Sequence, residues 1–294
     1  MKPLAIILFT VIFSHSANAI ELLLGVAEQS RYENLHGKAI VRAMFSKSQG
    51  QWDILDSQDK FKNHVSLEQE WHLAFDGRYL GSLVTVDNLN SFNEAYGWTF
   101  TRDKLLKIKN ISDFPLLDNK ESRFVGWNGS PGYRPVVVVS HKNYKDIEKW
   151  KRFKPTKEKE TLYPYVKENI PQAYHCNGKP KWDAKMIEIM KDDISLYRSY
   201  KNNKGEKLIS IGIGQIHTKD CDGPIDATHK PMWFYIADNK VKFVGFELDL
   251  LDAGDYDADG KVEFFFWHGG YNNDGYTLYE SDFEKRYDYY WSYH

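Results

Sequence analysis

Short runs in which apolar and polar residues alternate, each closed by turn-forming residues, recur along most of this chain. Alternation with period two puts one set of side chains on each face of an extended strand and cannot build the apolar stripe of a helix. Ala39 to Phe45 and Gln51 to Leu55 form such a pair across Ser46-Lys47-Ser48-Gln49-Gly50. Trp71 to Phe75 and Tyr79 to Asp87 flank Asp76-Gly77, a dipeptide suited to the positive φ angles of a tight hairpin. Trp98 to Thr101, Leu105 to Ile108, Phe124 to Trp127, Val136 to Ser140, Ile194 to Tyr200, Leu208 to Ile213, Trp233 to Ile236 and Val241 to Leu248 continue the pattern. Asn202-Asn203-Lys204-Gly205 and Asp238-Asn239 supply turns. Aromatic residues reach 15%, a load better suited to pleated surfaces than to helices. The reading is a mainly β, antiparallel chain: a divergent β-propeller-like arrangement first, a two-part β-sandwich as the alternative.

The alternation fails in the middle. Lys142 to Lys159 is dense in charge, with Ile147, Trp150 and Phe153 as a narrow apolar stripe, and predicts one short charged helix ending before Pro155. Pro155, Pro164 and Pro171 then punctuate an irregular connection. This divides the chain into residues 20–141, a connection over 142–171, and residues 172–294, or leaves one continuous domain over 20–294. Acids interleave the lysines of the connection, which marks a solvated face rather than an anion-binding one. With a formal charge of −2, nucleic acid is not an expected partner.

The first 19 residues have the form of a secretory signal peptide. Lys2 is the basic start, Leu4 to Phe13 the apolar run, and Ala17-Asn18-Ala19 the small-residue cleavage site. That run is too short to span a membrane, and no later stretch approaches the ~18 apolar residues that cross a bilayer as a helix. An exported protein is expected, periplasmic first and secreted otherwise. In that oxidising setting the two cysteines, Cys176 and Cys221, predict one disulfide; two buried thiols are the other reading.

Asp255-Tyr256-Asp257-Ala258-Asp259-Gly260-Lys261-Val262-Glu263 is the segment that demands a chemical explanation. Three carboxylates alternate, a glycine follows, and a fourth carboxylate comes four residues after the third. Acids converging on a tight turn repel one another unless a cation lies among them, and Ca²⁺ is the natural hard, oxygen-seeking choice. An EF-hand requires a Glu at the twelfth position, where this chain has Phe266, and helices on both sides, where it has strand-like runs.

The pattern resembles the calcium loops of FG-GAP/VCBS-type repeats, found in integrin-α propellers and in exported bacterial proteins. Asp255, Asp257, Asp259, Gly260 and Glu263, followed by the apolar Phe264 and Phe265, carry the resemblance. It implies side-chain ligation by the four acids and main-chain ligation by Lys261. Ala258 departs from the pattern, where Gly or Asn is usual, and so does Glu263, where Asp is commoner. The resemblance covers this loop alone.

Other candidates are weaker. Asp220-Cys221-Asp222-Gly223 with Asp226 lacks a third alternating acid. Asn128-Gly129-Ser130-Pro131-Gly132 lacks the leading glycine of a nucleophile elbow. Gly212-Ile213-Gly214 has no third glycine, and His217, His229 and His268 have no zinc-ligand spacing. In the tail, Tyr287, Tyr289, Trp291 and Tyr293 share one strand face and predict a buried aromatic surface. The expectation is a calcium-stabilised, exported binding or structural module with a glycan or protein ligand. An exported hydrolase acting on glycans from a β scaffold is the alternative.

Overall fold

The computed structural model describes residues 22–29, 39–66, 68–88, 105–109, 134–142, 144–169, 173–175, 185–213, 231–269 and 273–292. The architecture is mainly antiparallel β, as the alternation predicts. Residues 1–19, expected to be a signal peptide, both cysteines, Trp98 to Thr101, Phe124 to Trp127, residues 128–132 and 220–226, His217, His229 and Tyr293 lie outside the described residues.

A seven-stranded sheet comprises β1 (Leu22–Gln29), β2 (Ala39–Ser48), β3 (Gln51–Ile54), β4 (Gln69–Phe75), β5 (Arg78–Asn88), β6 (Leu105–Ile108) and β7 (Val136–Val139). Its order is β1-β7-β4-β5-β6-β2-β3, and β1 also pairs with β2, so six of these pairings run in a cycle. One face gathers Leu23, Ala27, Val41, Leu73, Leu83, Leu106, Val136 and Val138 around Trp71. Phe61 of helix α1 (Gln58–His64) joins them. The opposite face carries Leu22, Leu24, Val26, Ile40, Met44, Val137 and Val139. The run of four valines is therefore buried on both sides, which is why β7 is apolar without alternation.

A five-stranded sheet follows, ordered β14-β13-β12-β11-β8. Its strands are β8 (Lys151–Arg152), β11 (Ile194–Lys201), β12 (Lys207–Ile213), β13 (Met232–Ala237) and β14 (Lys240–Phe246). A short pair, β9 (Ala173–His175) and β10 (Lys185–Ile187), stands apart from it. The last sheet is a four-stranded meander of β15 (Leu248–Gly254), β16 (Glu263–Gly269), β17 (Asn273–Tyr279) and β18 (Arg286–Ser292).

The meander is the middle layer. Phe265, Trp267, Tyr276, Leu278, Tyr289 and Trp291 pack against the seven-stranded sheet. On its other face Leu250, Phe264, Phe266 and Tyr279 meet Leu208, Trp233 and Val244 of the five-stranded sheet. Burial on both faces accounts for the unbroken Phe264-Phe265-Phe266-Trp267 run in β16. The aromatic face of the tail, Tyr287, Tyr289 and Trp291, is core, as expected.

Three features depart from the sequence reading. No helix forms over the described part of residues 142–155; helix α2 runs over Glu158–Asn169, beyond Pro155 and through Pro164. The Glu158 carboxylate accepts from the N–H groups of Thr156 and Lys157 at 2.7 and 3.0 Å and pairs with Lys207, which fixes the start there. Leu162 and Val166 then dock on the five-stranded sheet, and this packing outweighs the proline. Second, Val241 to Leu248 is not one strand. Glu247, at φ 59°, turns the chain from β14 into β15 and so from one sheet to the next. Third, β2 extends through Ser48, and only Gln49 and Gly50, both at positive φ, make the turn. Lys47 is thus a strand residue, paired with Leu22 on one side and Trp52 on the other. Asp76-Gly77 and Asp238-Asn239 form two-residue turns of the same kind, as their sequences predict.

Candidate metal centre

The acidic loop is the β15–β16 connection. Its base is held by the Gly254–Glu263 pairing and by a bridge between Asp255 and Lys145, whose N–H and C=O groups exchange bonds of 3.4 and 2.8 Å. Tyr256 anchors it from inside. The ring is fully buried and stacks on Tyr144, with centroids 5.4 Å apart and planes 16° from parallel. Tyr144 in turn lies directly over Gly254, where a Cβ would stand 2.1 Å from its ring.

The loop's own N–H groups shape its carboxylates. Asp257 Oδ1 accepts from Asp259 N at 3.0 Å, and Asp259 Oδ1 accepts from Lys261 N at 2.9 Å. Asp255 Oδ2 accepts from Gly260 N at 3.2 Å, and Glu263 Oε2 from Tyr256 N at 2.9 Å. The first two are Asx-type bonds that curl the backbone, and the other two close the loop across its base. Ala258 and Gly260 take positive φ, 60° and 88°, a region that glycine and asparagine enter more readily than alanine.

Of the five predicted ligands, Asp255, Asp257 and Glu263 come together, each offering an oxygen within 4.8 Å of the others'. Asp255 and Glu263 are buried, at 3% and 2% exposure. Asp259 and Lys261 belong to the exposed rim, where Asp259 Oδ2 stands 3.5 Å from the Lys47 ammonium. Asp255 Oδ1 is buried and has no hydrogen-bond partner. A buried, unpartnered carboxylate oxygen on one of three clustered acids is what a hard cation relieves, so the residues fit the group that the resemblance implies. Burial pushes the Glu263 carboxyl up to about 8 against the opposing influence of the Tyr256 N–H, and burial also raises that of Asp255.

A fourth participant was not legible in the sequence. Lys47 of β2 inserts its ammonium beside the loop, bonding Asp257 Oδ2 and standing 3.5 Å from Asp259 Oδ2. Its side chain is 8% exposed and its Nζ lies 5.4 Å from the Trp52 ring centroid. The only sequence signal was a lysine in a presumed turn; the 210 residues between the partners hide the rest.

No family model, curated protein or solved structure matches this chain.

A cleft of about 410 Å³ opens beside the loop at Gly260 and Lys261 and is lined by Glu148, Glu206, Tyr235 and several lysines. Its two glutamates are engaged structurally. Glu148 accepts from the Trp150 indole and the Asn202 amide at 3.1 Å each and pairs with Lys204, while Glu206 accepts from Asn202 at 2.6 Å. His268, at the end of β16, shares a hydrogen bond of 2.8 Å with Asn273 Oδ1 and lies 3.6 Å from Glu247. Among the described residues no helix is long and apolar enough to cross a membrane.

Proposed function

We propose that the chain is an exported, β-rich binding or structural module of the cell envelope, periplasmic in the first instance, whose β15–β16 loop holds one Ca²⁺. The supporting observation is the convergence of Asp255, Asp257 and Glu263, one of which, Asp255, keeps a buried oxygen without a partner. Asp259 and the Lys261 carbonyl complete the ligand set on the exposed side. The ion's role is structural. The loop joins two strands of the central meander, and Asp255 is tied through Lys145 to the segment that follows β7. A cation there stabilises the fold by binding only the folded state. Extracellular millimolar Ca²⁺ is in the range that modest sites of this kind require.

The FG-GAP/VCBS resemblance and a propeller-like arrangement belong to this reading at one place. The β15–β18 meander is a four-stranded antiparallel unit of blade size with the loop at its first hairpin. The seven-stranded sheet does not have that form, so the likeness is confined to the C-terminal unit. A disulfide between Cys176 and Cys221 fits the same compartment. Glycans and proteins are the ligand classes in view.

Titration calorimetry and thermal melting test the proposal. With Ca²⁺ at about one hundred times Kd, mass action adds about 2.7 kcal/mol, a rise of roughly 5–10 °C for a domain of this size. EDTA removes it and Mg²⁺ does not replace it. Neither heat nor a melting shift at 10 mM Ca²⁺, in wild type and in the Lys47 variant described next, defeats the proposal.

A further inference from the structure

We infer that Lys47 and a divalent cation are alternative occupants of the Asp255–Glu263 loop, so that Lys47 sets the affinity of the site. The inference rests on the cation reading above and concerns what that cation must displace. Two observations carry it. Asp255, Asp257 and Glu263 converge with one buried oxygen of Asp255 left without a partner. The Lys47 ammonium bonds the same Asp257 that a cation would use, with Asp259 at 3.5 Å.

A calcium ion sits about 2.3–2.6 Å from each ligand oxygen. An ion bound by Asp257 would therefore lie within a few ångströms of an ammonium bonded to that carboxylate. Two cations so close, screened by little solvent, repel strongly. Lysine has a route out: its stem is flexible and its charge strongly hydrated, so the head group swings to solvent more readily than an arginine fork would. In the lysine-bound state the charge is only partly balanced, since Asp255 Oδ1 receives nothing. The ammonium therefore holds the loop closed without satisfying it.

Exchange links the cation to the seam between layers. Lys47 is held in register with Leu22 and Trp52, so its bond to Asp257 ties the seven-stranded sheet to the meander. Cation binding replaces that tie by ligation within the loop and frees the lysine. The site would thus report divalent-cation concentration as exposure of one lysine.

Two measurements test this. First, Lys47→Met keeps the apolar stem over Trp52 and removes the competitor; calorimetry with CaCl₂ should show at least tenfold tighter binding than wild type. Second, wild-type protein is labelled with an amine-specific acetylating reagent in EDTA and in CaCl₂, and Lys47 is quantified by peptide mass spectrometry. Labelling should rise several-fold with Ca²⁺, while Lys60, paired with Asp53 and Asp56 rather than with the loop, stays constant. Binding in Lys47→Met where wild type shows none supports the exchange. Wild-type binding with unchanged or weaker affinity in the variant, or Lys47 labelling that does not rise at saturating Ca²⁺, overturns it while leaving the metal site standing. No binding by either protein defeats the cation reading itself. If Lys47→Met does not fold, the wild-type labelling experiment decides alone.

Discussion

The Tyr276 hydroxyl of β17 donates to Glu28 Oε2 of β1 at 2.5 Å, although 248 residues separate them. Arg42 of β2 holds the other oxygen of that glutamate, at 3.1 Å from Nε and 2.7 Å from Nη2, and lies over the Trp291 ring at 4.3 Å. All four side chains are buried. A charged pair has therefore been taken out of water at the contact between the first strands and the last, and its hydrogen bonds are what make this tolerable. Removing one partner exposes the cost. Tyr276→Phe should destabilise by about 1–3 kcal/mol, and Arg42→Met by about 3–5 kcal/mol, because Glu28 is then left buried without a counter-charge. Replacing Glu28 and Arg42 together by apolar residues should cost less than Arg42→Met alone. Urea unfolding midpoints read all three.

Asp274 supplies a pH dependence. Burial pushes its carboxyl up to about 7; Arg42 pulls it down and Glu28 pushes it further up. In the unfolded chain it returns to about 3.8. Between these values the folded state holds a proton that the unfolded state has released, so stability is complete below about 3.8 and falls as pH rises through 7. Asp274→Asn removes this contribution. Relative to wild type, the variant's stability from urea melts should decline less between pH 4 and pH 7.5.

Ala258 sits at φ 60°, a conformation costing an L-residue roughly 1–2 kcal/mol that glycine does not incur. Ala258→Gly loses some of this gain to the greater freedom of the unfolded chain. The net expectation is about 0.5–1 kcal/mol of added stability, visible as a higher melting temperature in EDTA, where cation binding does not contribute.

The last strand is structural. Tyr289 and Trp291 are 2% and 3% exposed within the core shared with the seven-stranded sheet, and Tyr287 packs beside them. Truncation before Tyr287 removes β18 and uncovers the aromatic face of the meander. The shortened chain should lose cooperative melting and near-ultraviolet circular dichroism; a soluble protein with an intact transition would contradict this role.

Much of the secondary structure was legible because its causes are local. Asp76-Gly77 and Asp238-Asn239 turn where predicted, since each places turn formers at both positive-φ sites. Strands such as β12 and β13 follow from alternation and β-branched or aromatic content. The failures also have local explanations. Helix α1 is only seven residues, too short for a periodic signal, and rests on a Ser57 cap, which accepts from Lys60 N at 3.3 Å, and on burial of Phe61. Helix α2 formed through a proline because Leu162 and Val166 gained a sheet to pack on. The break at Glu247 was invisible because the residues on both sides are equally strand-like.

The sequence by itself determined that the chain is mainly antiparallel β, where most of its hairpins turn, and that Asp255 to Glu263 is an acidic loop, three of whose four acids come together. Side-chain alternation and the Asx bonds of the loop act over a few residues, so residue order suffices for them. Only the tertiary structure decided which sheets stack, that the meander is buried on both faces, and that Lys47 reaches Asp257. Those outcomes depend on which apolar faces find one another across more than two hundred residues, and the Lys47 ammonium reaches Asp257 only once its sheet has docked.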